Sequence, residues 1–137
     1  MGRTFVKDVM TNKEDVITIS PFAQVRELLQ LMQNRDVKSV IVQRSDVHDA
    51  YGIVTYTNIL KAIFDKDGDM DLLNVYDIAT KPIIQIMGDL DIKYAAKMMV
   101  QQNVNRLIVT YGGEMVGIIA MTDIVKVLMK EANEGTL

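Results

Sequence analysis

Gly52-Ile-Val-Thr-Tyr-Thr-Asn-Ile-Leu60 is the stretch that decides the fold, because it recurs as Gly117-Ile-Ile-Ala-Met-Thr-Asp-Ile-Val125 at an offset of 65 residues. In both copies a glycine is followed by apolar residues and then by a Thr-Asn or Thr-Asp pair. This order is typical of a short buried strand that runs into a helix, since Thr, Asn and Asp are common at helix starts.

The similarity extends over most of the chain. The matching pairs of segments are Val6–Val9 with Val75–Ile78, Val16–Ile19 with Ile83–Ile86, and Val25–Val42 with Ile92–Val109. The last pair aligns without a gap at an offset of 67 residues. A unit of this length in two copies predicts a pseudo-symmetric pair that shares one core.

Each repeat has the pattern strand, helix, strand, strand, helix, which predicts a mixed α/β (α+β) protein of two β-α-β-β-α repeats packed as one module. Ser20-Pro21 is a helix-start signal, with Ser as N-cap and Pro at the first helical position. Gly88 and Asp89 open the matching helix, and Gly112-Gly113 predicts a hairpin turn. The predicted elements are strands at Val16–Ile19, Val40–Val42 and Gly52–Thr55 with helices at Phe22–Asn34 and Thr57–Phe64, then strands at Ile83–Ile86, Leu107–Val109 and Met115–Ala120 with helices at Ile92–Gln101 and Asp123–Glu131.

The predicted boundaries follow from this pattern. We expect repeat 1 at residues 6–64, a linker at 65–74, repeat 2 at 75–131 and a disordered tail at 132–137. The four Asp residues between positions 65 and 71 also resemble a calcium loop. Gly68 stands at position 4 of such a loop rather than at position 6, so a solvated linker is the favoured interpretation.

The composition excludes several classes of protein. Of the 137 residues, 49% are hydrophobic and 24% are charged, as in an ordinary globular chain. The absence of cysteine excludes disulfides, thiolate metal sites and a cysteine nucleophile. A net charge of -3 argues against a nucleic-acid surface, and no apolar run approaches the roughly 20 residues that span a bilayer. Without an apolar signal segment at its N-terminus, the chain is expected to be cytoplasmic, with no nucleic-acid or membrane partner.

The sequence carries little that enzymatic turnover would need. His48 is the only histidine, which excludes a multi-histidine metal site, and its place in the polar loop Ser45–Ala50 argues against a catalytic triad. The glycine-rich phosphate-binding motifs are also absent. We expect no catalytic residue, no metal site and no enzyme activity, although acid–base chemistry by Asp or Glu stays open on composition alone.

Gly117-Ile-Ile-Ala-Met-Thr-Asp123, preceded by Asn105-Arg-Leu-Ile-Val109, resembles the motif of the CBS-domain family. The resemblance runs from about Val6 to Met129. It implies a tandem pair in which two three-stranded sheets and four helices form one pseudo-two-fold unit. It also implies a homodimer and two clefts for an adenosine-containing ligand, namely AMP, ADP or ATP, with NAD and S-adenosylmethionine as further candidates.

The first cleft keeps the family pattern. In the family, a carboxylate at the position of Asp123 accepts hydrogen bonds from the ribose hydroxyls, and a residue like Thr122 orients the nucleotide. Both residues also suit a helix N-terminus, where their oxygens cap free backbone N–H groups. The resemblance adds phosphate contacts before the middle strand and base contacts on the first strand. The first cleft is thereby assigned Val16, Ile17, Thr18, Lys38, Ser39, Val40, Thr122 and Asp123.

The second cleft departs from the pattern, because Asn58 follows Thr57 in place of the acid. An amide cannot offer two charged oxygens to a diol, so we expect weaker binding there. Its residues are Ile83, Ile84, Asn105, Arg106, Leu107, Thr57 and Asn58. One cation in each cleft, Lys38 or Arg106, favours a monophosphate or diphosphate ligand. The alternative is that these cations are solvated strand ends and that the apolar members are plain core.

Two functions follow from the resemblance. The first is a regulatory module that senses an adenosine-type ligand and transmits a conformational change to an unknown effector protein in trans. The second is a ligand-independent dimerisation or interaction module whose clefts are vestigial. The sequence names neither the ligand nor the effector.

Overall fold

The computed structural model describes residues 3–66 and 69–135, and the chain divides into two units that are not the two repeats. The inner unit is Ile17–Ile83, and the outer unit joins the residues up to Val16 to those from Ile84 onward. The elements in chain order are α1 (Val6–Val9), β1 (Thr11–Asn12), a 3-10 turn (Lys13–Asp15), β2 (Thr18–Ile19), α2 (Val25–Arg35), β3 (Ser39–Val42), β4 (Gly52–Thr55), α3 (Tyr56–Lys66), α4 (Val75–Ile78), β5 (Gln85–Met87), α5 (Ile92–Gln102), β6 (Arg106–Tyr111), β7 (Glu114–Ala120) and α6 (Met121–Asn133).

Each unit is built on a small sheet. In the inner sheet the order is β2-β3-β4, with β2 parallel and β4 antiparallel to β3. In the outer sheet the order is β1-β7-β6-β5, with β5 parallel to β6 and the other pairs antiparallel. The predicted mixed α+β class is confirmed. The expectation of a three-stranded sheet is wrong for the outer unit, because the short N-terminal strand β1 pairs with the free edge of β7.

Each repeat begins with a segment that we call its lead-in. The lead-in of repeat 1 runs from Thr4 to Asn12 through α1 and β1, and the lead-in of repeat 2 runs from Leu73 to Thr80 through α4. The two lead-ins dock in the same way in the two units. The equivalent backbone hydrogen bonds, donor first, are Val6 to Leu90 (2.9 Å) and Ile92 to Thr4 (2.9 Å) in the outer unit, and Val75 to Ala23 (2.8 Å) and Val25 to Leu73 (3.0 Å) in the inner unit. The lead-in of repeat 1 thus packs on repeat 2, and the lead-in of repeat 2 packs on repeat 1. Because of this crossing, each unit contains segments of both repeats.

Gly52 and Gly117 make room for the crossed lead-ins. A Cβ on Gly117 would lie 2.4 Å from the carbonyl oxygen of Thr11 in β1. A Cβ on Gly52 would lie 3.0 Å from the carbonyl oxygen of Thr80, which forms a bridge with Ile53 of β4. The repeated sequence therefore begins with glycine because another backbone passes close to that position.

The amphipathic helices bury one face on each sheet. In the inner unit, Leu28 and Met32 of α2 pack with Val40, Val42 and Val54 of the sheet. The outer core has the same plan, and its fully buried side chains include Val6, Met99, Leu107, Val109 and Ile119. Burial of valines from α1 and α4 shows that the lead-ins are part of the cores and not surface appendages, since Val6 and Val75 are both completely inaccessible to solvent.

The predicted start of the first long helix is wrong. Ser20 and Pro21 form a turn in which the Ser20 hydroxyl accepts the N–H of Phe22 at 3.1 Å, and α2 begins only at Val25. The N–H of Val25 donates to Leu73, so a contact with a distant segment sets the helix start. Gly88 and Asp89 likewise lie in a turn, and Asp91 caps α5 by accepting the N–H of Lys93 at 2.9 Å.

The first strand of each repeat is shorter or later than predicted. Val16 donates its N–H to Lys13 in the 3-10 turn, so the strand at Val16–Ile19 is reduced to Thr18–Ile19. Ile83 donates its N–H to Tyr51, and the strand predicted at Ile83–Ile86 lies at Gln85–Met87.

The ends of α3 and α6 also differ from the sequence pattern. Helix α3 reaches Lys66, inside the predicted linker, and α6 reaches Asn133, inside the predicted tail. Asp67, Gly68, Thr136 and Leu137 lie outside the described residues. Within residues 3–66 and 69–135, no three side chains of His, Cys, Asp or Glu lie together in a way that could hold a metal ion. None of the helices in these ranges is long and apolar enough to cross a membrane.

Candidate ligand-binding site

The strand-to-helix junctions that carry the Thr-Asp and Thr-Asn pairs are built alike. In the outer unit, Arg106 at the start of β6 pairs with Ala120 at the end of β7, where α6 begins. In the inner unit, Ser39 at the start of β3 pairs with Thr55 at the end of β4, where α3 begins. Each unit therefore places the residues before its middle strand beside the first turn of its last helix.

Asp123 uses one carboxylate oxygen for the helix and leaves the other unbonded. Its Oδ2 accepts the N–H of Ala120 at 2.8 Å, which is the capping role that the sequence also predicted. No group among the described residues donates to Oδ1. The side chain is half-buried, and its neighbour Thr122 is exposed. The second oxygen of this half-buried side chain can thus accept a hydrogen bond from a ligand.

A groove lies beside this junction in the outer unit. Its volume is about 380 Å³, and it is lined by Asn105, Arg106, Ala120, Met121, Thr122, Val125, Lys126 and Met129. The guanidinium of Arg106 donates to Asn105 Oδ1 at 3.3 Å. Two cations stand at one groove whose lining has no acidic side chain, and the methionines and valine form its apolar wall. These properties suit an anionic ligand with an apolar part.

The sequence did not point to five lining residues of this groove, which are Ala120, Met121, Val125, Lys126 and Met129, and Lys126 is the charged residue among them. It follows Thr122 by four residues in α6, which is the spacing that puts two side chains on the same helix face. That spacing was the available signal. With Arg106, it raises the positive charge at the groove above the single cation counted for each cleft.

The other predicted residues divide between exposed and core positions. Lys38 and Thr57 are exposed and Ser39 is half-buried, all at the inner junction. Val40, Ile83 and Leu107 are buried, as their alternative interpretation as plain core requires. Intermediate burial is shared by Val16, Ile17, Thr18 and Ile84.

The structure brings together, within each unit, residues that the prediction assigned to different clefts. Asn105 and Arg106 stand beside Thr122 in the outer groove, whereas Lys38 and Ser39 stand beside Thr57 at the inner junction. Each predicted cleft combines residues of both units. That combination stays a prediction.

Two carboxyl groups of the inner unit have pKa values below the ordinary value for Asp. Lys81 donates to Asp49 at 2.7 Å and Ser45 donates from its backbone and hydroxyl, which together lower the pKa of Asp49. The hydrogen bond from Arg26 lowers the pKa of Asp71. Both pairs fasten loops to the inner unit and lie outside the two junctions.

The family model of the CBS domain matches the chain twice, at residues 6–65 and 75–130. The chain belongs to the CBS-domain family. Its two CBS domains form a tandem repeat, as the resemblance of the repeated motif predicted.

Several proteins of known sequence or structure are similar to this CBS pair. An uncharacterised protein of Methanopyrus kandleri is 29% identical over 116 residues, which are 84% of this chain and 59% of that protein's length. The hexameric CBS-CP12 protein from bloom-forming cyanobacteria is 30% identical with a TM-score of 0.77, covering 89% of this chain and 69% of the other. The CBS domain of the bacterial CNNM/CorC family Mg²⁺ transporter, solved in complex with ATP, has a TM-score of 0.80 at 23% identity over 92% of this chain and 87% of the other. The last likeness is one of fold.

A second groove of this CBS pair lies at the far end of the outer sheet. Its volume is about 540 Å³, and its lining includes Lys7, Met87, Asp89, Thr110 and Tyr111. None of the residues predicted for a ligand belongs to it.

Proposed function

We propose that this CBS pair is a regulatory, non-catalytic module that binds an adenosine-containing ligand through Asp123. Binding changes the conformation of the module, and this change is transmitted to an effector protein in trans. The observation that carries the proposal is the split use of the Asp123 carboxylate, in which Oδ2 caps α6 and Oδ1 has no partner among the described residues. A ribose hydroxyl is a donor that Oδ1 can accept, and charge-assisted bonds of this kind are strong.

The positive charge of the groove supports a ligand that carries phosphate. Arg106 and Lys126 line one groove with Thr122, and the fold neighbour from the Mg²⁺ transporter family was solved with ATP. Because the groove holds two cations, AMP, ADP and ATP all stay candidates, together with NAD and S-adenosylmethionine. Contacts of Lys38 and Ser39 with the same ligand rest on the family resemblance. A ligand drawn from the adenine nucleotides of the cell agrees with the cytoplasmic location that the sequence predicts.

Asp123→Asn tests the ribose contact with little damage to the fold. The Asn oxygen can still accept the N–H of Ala120, while the free oxygen becomes an NH₂ donor. Calorimetry with AMP, ADP, ATP, NAD and S-adenosylmethionine should show binding by the wild type and at least about tenfold weaker binding by the variant, since each lost charge-assisted bond contributes about 1.5–3 kcal/mol.

Asp91→Ala is the matched control, because Asp91 caps α5 in the same unit but stands away from the strand-to-helix junction that carries Asp123. It should lower stability and leave nucleotide affinity unchanged. Failure of every adenosine ligand to bind the wild type would refute the proposed function.

A ligand-independent assembly role is the second candidate, and one observation favours it. Helices α3 and α6 each expose large apolar side chains, which are Tyr56, Leu60, Ile63 and Phe64 on α3 and Met121, Val125, Leu128 and Met129 on α6. Exposed apolar surface of this kind marks interaction sites, and a homodimer would cover it. Light scattering after size exclusion should give a dimer mass, and nucleotide-free dimers with no ligand binding would favour this second role.

A further inference from the structure

Asn58 stands where the outer unit has Asp123, at the offset of 65 residues, but its amide is fully used within the protein. Its Oδ1 accepts the N–H and the hydroxyl of Thr55 at 2.8 and 2.9 Å. Its Nδ2 donates to the carbonyl oxygen of Ile78 at 2.9 Å and to the hydroxyl of Thr80 at 3.0 Å. Two donor hydrogens and two acceptor positions are all that a side-chain amide has, and all four are filled.

The partners of Nδ2 belong to the crossed lead-in of repeat 2. Ile78 ends α4, and Thr80 exchanges two backbone hydrogen bonds of 2.9 Å with Ile53 of β4. Asn58 therefore ties the first turn of α3 to a segment that docks from the other repeat. Only a residue with both a donor and an acceptor can do this, because the groups it joins are an N–H on one side and a carbonyl on the other.

The equivalent position of the outer unit lacks this tie. Asp123 is an acceptor only, so it cannot donate to the carbonyl of Val9, which matches Ile78 in the repeat. In the part of the chain that the structure describes, Asp123 forms no hydrogen bond with Thr11, the counterpart of Thr80. The same position thus holds a lead-in in the inner unit and leaves a free charged oxygen in the outer unit.

We infer that residue identity at this position decides between a clamp on the crossed lead-in and a ribose acceptor, and that Asn58 closes the second ligand position of the CBS pair. This inference rests on the proposed function for its ligand, and it gives the weaker cleft a structural cause. The Thr80 hydroxyl accepts the amide hydrogen of Asn58 that a ribose hydroxyl could otherwise accept. A wild-type chain accordingly binds one nucleotide.

Asn58→Asp is the direct test, and AMP and ATP are the probes. The carboxylate would still accept the N–H of Thr55 but would face the carbonyl oxygen of Ile78 at 2.9 Å, a repulsive contact between two acceptors. We expect a lower unfolding midpoint and a second equivalent of nucleotide bound per chain in calorimetry. An unchanged midpoint, or a lowered midpoint with one equivalent bound, overturns the inference.

A stability cycle keeps the clamp testable if Asn58→Asp folds poorly. The single variants Asn58→Ala and Thr80→Val should each lower the midpoint, and the double variant should lower it by less than their sum. The matched pair Asp123→Ala and Thr11→Val in the outer unit should be additive. Additive losses in the inner pair would refute the clamp. The cycle needs no ligand, so it distinguishes failure of the clamp from failure of the proposed nucleotide function.

Discussion

Gly117→Ala should separate the crossed lead-in from the outer sheet. The added Cβ would lie 2.4 Å from the carbonyl oxygen of Thr11 and 2.8 Å from the sulfur of Met10. The methionine side chain can rotate away, but the carbonyl belongs to β1, whose pairing with β7 extends only over Thr11 and Asn12. Relief of the overlap needs a shift of about 1 Å to reach ordinary contact distance, and a shift of that size breaks hydrogen bonds of the β1–β7 pair.

The size of the effect follows from the bonds at risk. Loss of roughly two backbone hydrogen bonds costs about 1–3 kcal/mol. The backbone at Gly117 has no positive φ, so alanine can adopt it, and the reduced freedom of the unfolded chain returns about 0.4–1 kcal/mol. The expected net loss is about 1–2 kcal/mol, which lowers the unfolding midpoint by about 3–10 °C for a chain of this size.

Thermal unfolding followed by circular dichroism measures this loss, and Gly52→Ala is the matched control. Its Cβ would lie 3.0 Å from the carbonyl oxygen of Thr80, so that a shift of a few tenths of an ångström suffices. Gly52→Ala should therefore lower the midpoint less than Gly117→Ala. A midpoint for Gly117→Ala equal to that of the wild type, or a larger loss for Gly52→Ala, would refute the close-approach explanation of the two glycines.

Three further changes test other parts of the structure. Leu28→Ala should cost about 2–5 kcal/mol in denaturant unfolding, because Leu28 is completely buried and its removal leaves a cavity; a loss below about 1 kcal/mol would contradict the assigned core. Since the folded-state pKa of Asp49 is lowered, its contribution to stability is present above the ordinary pKa of Asp and is lost as the pH falls through the lowered value. Lys81→Met should therefore lower stability at neutral pH and flatten the decline in acid, and parallel pH curves for variant and wild type would argue against the ion pair. Met129→Glu and Phe64→Glu place charges on the exposed faces of α6 and α3, and a dimer mass that persists in light scattering for both would remove these faces as the interface.

The sequence predicted the elements whose cause is local. The apolar spacing in α2 and α5 and the β-branched runs in β3 and β6 carry their structure in their own pattern, and these elements lie within a few residues of the prediction. The start of α2 was misplaced because the signal of Ser20-Pro21 is a turn and the helix begins where Leu73 supplies an acceptor. Local pattern cannot report an acceptor that lies far along the chain.

The same distinction applies to the candidate site. The Thr-Asp pair and Arg106 could be found from the repeat, and Lys126 could have been found from helical spacing. The bonds of Asn58 could not, because they depend on which sheet each lead-in reaches. The lead-ins Val6–Val9 and Val75–Ile78 resemble each other, so the sequence alone fits crossed and uncrossed docking equally well.

The crossing gives a physical reason for the presence of two copies in one chain. A repeat cut at its sequence boundaries loses the lead-in that fills its own core, since Val75 fills the core of repeat 1 and Val6 fills that of repeat 2. It also leaves the N–H of Val25 or Ile92 without its partner carbonyl. Each repeat therefore supplies the other with a buried side chain and backbone acceptors, and in the inner unit it also supplies the two groups that accept from the Asn58 amide.

The difference between Asn58 and Asp123 changes how the two lead-ins are held. One lead-in is held by an amide as well as by its backbone, and the other is held without that tie beside a free carboxylate oxygen. The outer lead-in is held instead by the pairing of β1 with β7. We expect a ligand bound at Asp123 to act on this lead-in, because Asp123 does not tie it to α6 as Asn58 ties the inner lead-in to α3.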